Sequence, residues 1–483
     1  MVTGQEIQYT YSESPRREIN WCSISIDEAI ASGKRLKASV YNPKARRARE
    51  TVSNCKWGSV PLCGERGLAA AYMGGRFKRT LVEKSDLPLY LPSSAIDIYP
   101  TPDAYLSKNN KYNLDSLRVR KGQVILTRSG IIGKTFFVSD ALDGKILSDD
   151  LIRLDAKTPG DAGYIYAFLR SAIGNTLVQT NNYGAVIQHI EPEHLRGIPI
   201  PDPPTELKAG IGGLIVRSYE LRDKSNDLLD MATAMLAAEL GLPPLDEIPT
   251  DKIGPASSAN ASSVKFLELS GRLDGSYHAP IVRAIAGHLR SHAAEVTSVG
   301  DARVSKEIIL PGRFKRIYVE EGNGRVFLSG KSIMELDPYD KKYISFSQHG
   351  KRIREQLTIR HNMILVTCSG TVGKVALVPK HWDNWVMTHD IIRIVPAENI
   401  AGYVFAWLKT DYARTLIEAT AYGAVIPHIE ISHISGIPVP LLRNPGMQAE
   451  INRLALEANE LRFQAHKLEK EAIGVFEKEA LGL

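Results

Sequence analysis

Gly130-Ile131-Ile132-Gly133-Lys134-Thr135 has the ending of a phosphate-binding loop, in which backbone N–H groups cradle a nucleotide and a lysine reaches its terminal phosphates. That loop needs glycine where Arg128 stands, and the matching stretch Ser369–Lys374 is followed by Val375 instead of a magnesium-binding hydroxyl. Nucleotide binding is therefore not expected. The spacing fits a Gly-bounded turn between buried strands, with Lys134 and Lys374 at its exit facing a phosphate or water. Asp202-Pro203-Pro204-Thr205 approaches the Asp-Pro-Pro-aromatic signature of amino-methyltransferases, but Thr205 replaces the ring that stacks on an extruded base. A proline opening the next helix accounts for it. His189 with Glu191, and His428 with Glu430, lack the Ser, Asp or metal-ligand partners of acid–base chemistry, so hydrogen-bonded structural histidines are expected. No catalytic set is expected, and no metal or cofactor site.

The most informative residues are basic. Gly-Arg-Phe-Lys-Arg occupies 75–79 and again 312–316. In an extended segment Arg76 and Lys78 share a face, as do Arg313 and Lys315, with Phe77 and Phe314 turned the other way. Cations so placed, with Arg79 and Arg316 beside them, suit phosphate contacts while Phe anchors the strand. A solvated edge strand defended by charge is the competing account. Lys44, Arg46, Arg47 and Arg49 form a further cluster that fits an exposed helix face.

The elements that must position these residues are written twice. Leu117–Lys134 returns at Leu357–Lys374, Asp150–Leu154 at Asp390–Ile394, Gly163–Leu169 at Gly402–Leu408, Tyr183–Glu191 at Tyr422–Glu430, and Gly197–Pro201 at Gly436–Pro440. Arg35-Leu36 likewise returns as Arg272-Leu273. The order is collinear, so each half is one structural unit. Val124–Thr127 and Ile364–Thr367 read as buried strands, and Tyr164–Thr176 and Tyr403–Glu418 have helical spacing.

Each half then changes period. Ile211, Leu214, Ser218, Leu221, Ser225, Leu228, Ala232 and Met235 fall alternately three and four apart, as do Ile451, Leu454, Ala458, Leu461, Ala465, Leu468, Ala472 and Val475. These are heptad seams, and their small residues suit a tight antiparallel pair. The expected interface is Leu214, Leu221, Leu228 and Met235 against Leu454, Leu461, Leu468 and Val475. From Ile211 to Met235 such a helix measures roughly 36 Å, close to one turn of B-DNA. A helix packed on its own globule, and a parallel homodimer, are the alternatives.

The chain has 483 residues with 60 Lys and Arg, 54 Asp and Glu, and net charge +6, a mild excess that permits a nucleic-acid partner. Hydrophobic residues at 43% support real cores, no apolar run is long enough to span a membrane, and the first thirty residues lack a secretory core. Cys22, Cys55, Cys63 and Cys368 are too few for a disulfide framework, so a cytoplasmic location is expected. The divisions read from the repeat are a first domain 1–203, a helix 204–242, a linker 243–263, a second domain 264–443 and a helix 444–483.

The duplicated Ser-Gly-x-x-Gly-Lys turn (Ser129–Lys134, Ser369–Lys374), Gly-Ala-x-x-x-His-Ile stretch, Ile-Pro-x-Pro strand and terminal heptad helix resemble the specificity subunit of type I restriction–modification systems, over nearly the whole chain. The resemblance implies an α+β fold: two tandem mixed α/β target-recognition domains, each followed by a long helix, with the helices paired as an antiparallel coiled coil. It implies a non-catalytic subunit of a restriction–modification or phage-defence complex that reads a bipartite sequence in double-stranded DNA. That subunit recruits two adenine methyltransferase subunits, which carry S-adenosylmethionine, and often a translocating nuclease subunit. On this reading Arg76, Lys78, Arg79, Arg128, Lys134, Tyr183, Gln188, Arg313, Lys315, Arg316, Lys374 and Tyr422 are candidate DNA contacts. Pro427, standing where the first copy has Gln188, departs from equivalence. Base reading is expected where the copies diverge, at Lys44–Gly67 against Ile281–Lys306 or Thr101–Asp115 against Tyr339–Glu355, because features common to both cannot distinguish two half-sites. A self-sufficient DNA methyltransferase or nuclease with duplicated recognition modules is the alternative function, and a two-headed protein scaffold a third.

Overall fold

Val124–Thr127 and Ile364–Thr367 are buried at every position, so both faces of these strands must be covered. In the computed structural model, which describes residues 23–31, 38–109, 112–183, 188–250, 263–269, 271–339 and 341–483, alternate side chains enter separate cores. Val124 and Leu126 face a cluster with Tyr164 and Phe168, whereas Ile125 joins Val119, Phe136 and Val138. Ile364 and Val366 pack with Tyr403 and Trp407, and Leu365 with Val378 and Trp382.

Each half builds a lobe with the same strand order. In the first, an inner antiparallel sheet runs Ala69–Met73, Leu151–Ala156, Val124–Thr127, Thr135–Phe137. An outer sheet runs Leu81–Val82, Ala104–Leu106, Pro88–Tyr90, Ile146–Leu147, its last pair parallel. The second lobe repeats this with Ser305–Ile309, Ile391–Pro396, Ile364–Thr367, Val375–Leu377 and with Tyr318–Val319, Lys342–Ser345, Gly324–Leu328, Val386–Met387. The helical stretches are pairs, Pro159–Arg170 with Ala172–Thr180 and Ala401–Lys409 with Asp411–Ala419. Ser171 and Thr410 divide them: each hydroxyl caps the second helix, accepting from Gly174 N (3.1 Å) and Ala413 N (3.2 Å).

The strands ending at Pro201 and Leu441 lead into long helices, Thr205–Glu239 and Pro445–Val475, of roughly 52 and 46 Å at 1.5 Å per residue. They pack on one another. Ser218 Oγ donates to Ala465 O (2.7 Å), and Arg462 donates to Ser225 Oγ and Asn226 Oδ1 (3.2 Å each), so contacts advance in opposite directions along the two. The small residues Ser218, Ser225, Ala232, Ala458, Ala465 and Ala472 are buried, as are Leu454 and Leu461. Leu214, Leu221, Leu228, Met235, Leu468 and Val475 are only half-buried, which corrects the expected interface. The first helix instead buries Ile215, Leu229 and Leu236, one position further on. Each helix packs against lobes as well as its partner, so its apolar stripe is wider than a two-helix seam and rotates toward them.

The lobes sit at opposite ends of the pair. Ile211, Ile215 and Tyr219 of the first helix share the first lobe's core with Ala472 and Phe476 of the second. Leu229, Ala232 and Leu236 share the second lobe's core with Ile451, Leu454 and Ala458. Gly163 meets the first helix so closely that a Cβ there would lie 2.5 Å from Gly212 O. The lobes also touch each other, which the sequence reading lacks. Ile98 N donates to Met334 O (2.8 Å), Thr135 N to Tyr339 Oη (2.8 Å), and Arg170 stacks 4.0 Å over the Tyr339 ring.

The N-terminal lead with Cys22, the Arg35-Leu36 dipeptide, residues 251–262 of the linker, and 184–187 of the first Gly-Ala stretch lie outside the described residues.

Candidate nucleic-acid interface

The two Gly-Arg-Phe-Lys-Arg segments are the links that carry the chain from inner to outer sheet, not strands themselves. Phe77 is half-buried against Leu89, Leu106, Leu117 and Ile146, and Phe314 against Phe327 and Ile344. The aromatic pins each link, leaving Arg76, Lys78, Arg313 and Lys315 exposed. The last arginine is held: Arg79 donates to Asp149 (2.8 Å) and Ser148 (3.2 Å), and Arg316 to Thr388 (3.0 Å) with Asp390 at 3.6 Å. Arg79 and Arg316 therefore tie each link to the turn that leads from the outer sheet back to the inner one.

The turn lysines divide. Gly130, Gly133, Gly370 and Gly373 all have positive φ, and Thr127 and Thr367 hydroxyls each accept from the lysine N–H (2.9 Å), so the turns are alike. Lys374 is exposed. Lys134 is not a phosphate ligand in waiting: its Nζ meets Glu335 of the other lobe at 2.7 Å, with the two side chains 15% and 8% exposed.

Arg128 is likewise withdrawn from the DNA-contact set. It is 8% exposed, and its guanidinium meets Asp150 (3.0 Å), Glu191 (2.6 Å) and Tyr183 Oη (3.5 Å). Burial opposes its charge, yet hydrogen bonds to Glu191 and Asp150 hold its pKa above the ordinary value. The second copy has buried Cys368 in that place, its thiol pushed up to about 12 by burial.

Tyr183 and Tyr422 are exposed, and each hydroxyl donates to a carboxylate, Glu191 (2.6 Å) and Glu430 (2.5 Å). Gln188 is exposed and accepts from Asn182 Nδ2 (3.0 Å). The histidine that bonds Glu191 is His194, whose Nδ1 accepts from the Glu191 backbone N–H (2.9 Å); His433 does the same for Glu430 (3.0 Å). These are helix caps, not acid–base pairs. In the second copy the loop between Tyr422 and His428 is closed by two backbone hydrogen bonds and presents Val425 and Ile426 to solvent. Of the first cluster, Lys44 and Arg47 are exposed on the helix Pro43–Ser53, and Arg49 donates to Val40 O (2.8 Å).

Arg153 and Arg393 escaped the sequence reading. Both are fully buried and donate to main-chain carbonyls: Arg153 to Leu117, Leu147, Ser148 and Leu151 (3.1–3.3 Å), Arg393 to Met387, Thr388 and Ile391 (2.7–3.1 Å). They clamp the outer sheet to the inner one. Burial lowers both pKa values, that of Arg393 to about 9. The repeated Asp-[Leu/Ile]-Ile-Arg-[Leu/Ile] motif was the available signal.

Among the described residues there is no group of three potential metal ligands, and no helix is long and apolar enough to cross a membrane. No family model and no curated protein matches the chain. Solved structures do. The chain is similar to the S subunit of the type I restriction–modification system from M. genitalium, with TM-score 0.31 and 11% identity over 87% of this chain and 98% of that one. It is also similar to the HsdS subunit from Thermoanaerobacter tengcongensis, with TM-score 0.26 and 15% identity over 87% and 99%. A third similarity is to a structure described as the basis of complex assembly and conformational transition of the type I R-M system, with TM-score 0.26 and 14% identity over 82% and 91%. The likeness to these type I restriction–modification proteins runs over most of the chain.

Proposed function

We propose that this chain is the DNA-specificity subunit of a type I-like restriction–modification or phage-defence complex. Its two lobes read the two halves of a bipartite duplex sequence, and adenine methyltransferase subunits perform the chemistry. One observation carries the reading: two lobes of identical strand order are seated on one helix pair at positions related by the repeat. Ile215 lies in the first seat and Leu236, 21 positions on, in the second, a separation of roughly 32 Å along the rod. That is close to one turn of B-DNA, so both lobes can address the same side of a duplex. The rod is then an antiparallel coiled-coil spacer between two target-recognition domains, divided near 203, 242, 263 and 443. Arg76, Lys78, Arg313 and Lys315, exposed and pinned by their phenylalanines, supply sequence-independent phosphate contacts, with Lys374 and Gln188 as further exposed candidates. S-adenosylmethionine belongs to the methyltransferase partners, and a translocating nuclease is a further partner by the same resemblance.

The test is selection of a randomised duplex pool by the purified full chain. Two short motifs at a fixed gap are expected. Arg76→Ala should weaken binding to all sequences and reduce the slope of log affinity against log salt by about 1. A single contiguous motif, or none, overturns the reading.

A further inference from the structure

Two lobes of identical strand order must differ somewhere to read different sequences, and one difference in structure lies on the outer sheet. After the strand Lys342–Ser345 the second lobe carries a helix, Phe346–Arg352, that continues through the wider turns of Ile353–Leu357. The first lobe, after Ala104–Leu106, has among its described residues only the single turn Asp115–Leu117. Ser345 Oγ caps the helix, accepting from Gln348 N (3.4 Å). Ile353 and Leu357 enter the core with Phe327, Ile344 and Val386. Ser347, Gln348, Lys351 and Arg354 are exposed, spaced so that they share the opposite face.

This helix is fastened to the basic link. Arg352 Nη1 donates to Gly312 O and Arg313 O (3.3 Å each), its guanidinium lies 5.4 Å from the Phe314 ring, and the His349 ring packs edge-on against the same phenylalanine at 5.4 Å. The helix is thus held beside exposed Arg313 and Lys315. At its start, the exposed Phe346 ring has Arg325 and Arg354 guanidiniums at 5.7 and 5.6 Å. Within 346–357 Lys351, Arg352 and Arg354 outnumber the one acid, Glu355, the signature of a polyanion partner rather than an apolar protein one.

We infer that Phe346–Arg352 with the following turn is the element that enters the major groove of one half-site. Gln348 and Arg354 read base edges, while Lys351, Arg313 and Lys315 contact the backbone. The inference rests on the specificity-subunit reading and adds which element and which side chains discriminate. The major groove admits an α-helix. Glutamine matches the paired donor and acceptor of adenine, and arginine the two acceptors of guanine. The first lobe has no equivalent helix among the described residues, so it reads its half-site with other residues.

The experiment repeats the duplex selection with full-length Gln348→Ala and Arg354→Ala, both exposed positions, after thermal melting confirms an unchanged fold. Each variant should lose preference at one base pair, both within the same half-site, with about 5- to 150-fold weaker binding to the parental site. The other half-site and the salt slope should be unchanged. Uniform weakening with a shallower salt slope would make these phosphate contacts and overturn the assignment; so would degeneracy in both half-sites, or an unaltered motif. An intact chain that selects no bipartite motif removes the parent reading, a result the variants cannot mimic.

Discussion

The central junction has two faces related by the repeat, and they are built from different chemistry. On one face Glu469 accepts hydrogen bonds from Tyr166 (2.9 Å), Arg170 (2.8 Å) and Arg222, while Asp337 meets Lys341 (2.6 Å), Lys470 (2.8 Å) and Arg170 (3.4 Å). On the other face the matching positions hold Leu229 for Glu469, Arg462 for Arg222, Lys409 for Arg170 and Tyr99 for Asp337. There Arg462 bonds neutral Ser225 and Asn226, and Lys409 Nζ lies 3.4 Å over the Tyr99 ring. Burial lowers Lys409 to about 8 and Arg462 to about 10. Burial also works against Arg170, but Glu469, Tyr339, Tyr166 and Asp337 together outweigh it and hold that guanidinium above its ordinary range. One face is fastened by compensated charge, the other by packing with its cations held on rings and neutral acceptors. A two-fold arrangement thus needs equivalent positions, not equivalent interactions.

The largest effect that would sharpen this contrast is loss of the central carboxylate. Glu469→Ala leaves buried Arg222 without its carboxylate and Arg170 with only the longer contact to Asp337, and should destabilise by about 3–5 kcal/mol in urea unfolding. Leu229→Ala removes only apolar contact and should cost about 2–4 kcal/mol. Acid titration separates them further. Burial pushes the Glu469 carboxyl up, but Arg170 and Arg222 prevail and lower it to about 2. Its contribution is present above the ordinary carboxylate value of 4.5 and lost as pH falls toward 2. The intact protein and Leu229→Ala should show this acid limb in full, and Glu469→Ala only the smaller part that Asp337 and the other lowered carboxylates supply. An unchanged limb in Glu469→Ala would mean the two faces are held alike.

A second contrast lies in the turn lysines. Lys134 pairs with mostly buried Glu335, whereas Lys374 is exposed near Asp97, whose carboxyl burial raises to about 7 despite that lysine. Lys134→Ala should therefore cost about 2 kcal/mol, a buried-pair loss reduced by partial exposure. Lys374→Ala should cost at most about 0.5 kcal/mol, as at an ordinary surface site. The charge-exchanged Lys134→Glu with Glu335→Lys should recover part of the loss. Equal losses at Lys134 and Lys374 would show that the lobes are clasped symmetrically.

The inner strands were legible because a four-residue apolar run with Gly or Ser at its ends has few other homes, and the long helices because their period is sustained. The burial register of the first helix slipped by one, since spacing alone sees a two-helix seam and not the lobe on its flank, where Leu229 and Leu236 point. Arg76 and Lys78 read correctly as exposed because the intervening Phe77 needs a core. Arg128 and Lys134 were misjudged for one reason. Their partners Glu191 and Glu335 lie 63 and 201 positions away, and no local pattern announces an ion pair closed across a fold. The contact between Ala95–Pro100 and Ile333–Tyr339 was invisible for the same reason.

The smallest contrast concerns histidines found in one lobe only. His381 and His466 stack with ring centroids 3.9 Å apart, beside Phe463, and His381 shares Leu336 O (2.7 Å) with Trp382 (3.2 Å). The first copy has Ala141 and, on its long helix, Asn226 at these positions. Burial lowers His381 to about 3 and His466 to about 4, although Asp337 and Glu469 favour their charge; Lys341 and Lys470 oppose it. Two neutral rings suit this stack, and a proton on either does not. Because the folded values lie below the ordinary 6.5, the pair's contribution is complete above that pH and declines as pH falls toward 4. Between pH 7.5 and 5.5 each ring that stays neutral in the fold should cost about 1.4 kcal/mol, because its unfolded counterpart gains a proton over that interval. Trp382 and Trp385, stacked 6.0 Å apart beside His381, report it by fluorescence. His466→Gln should remove part of that pH dependence and leave the share of His381, and an undiminished slope in this variant would place the titrating groups outside the stack.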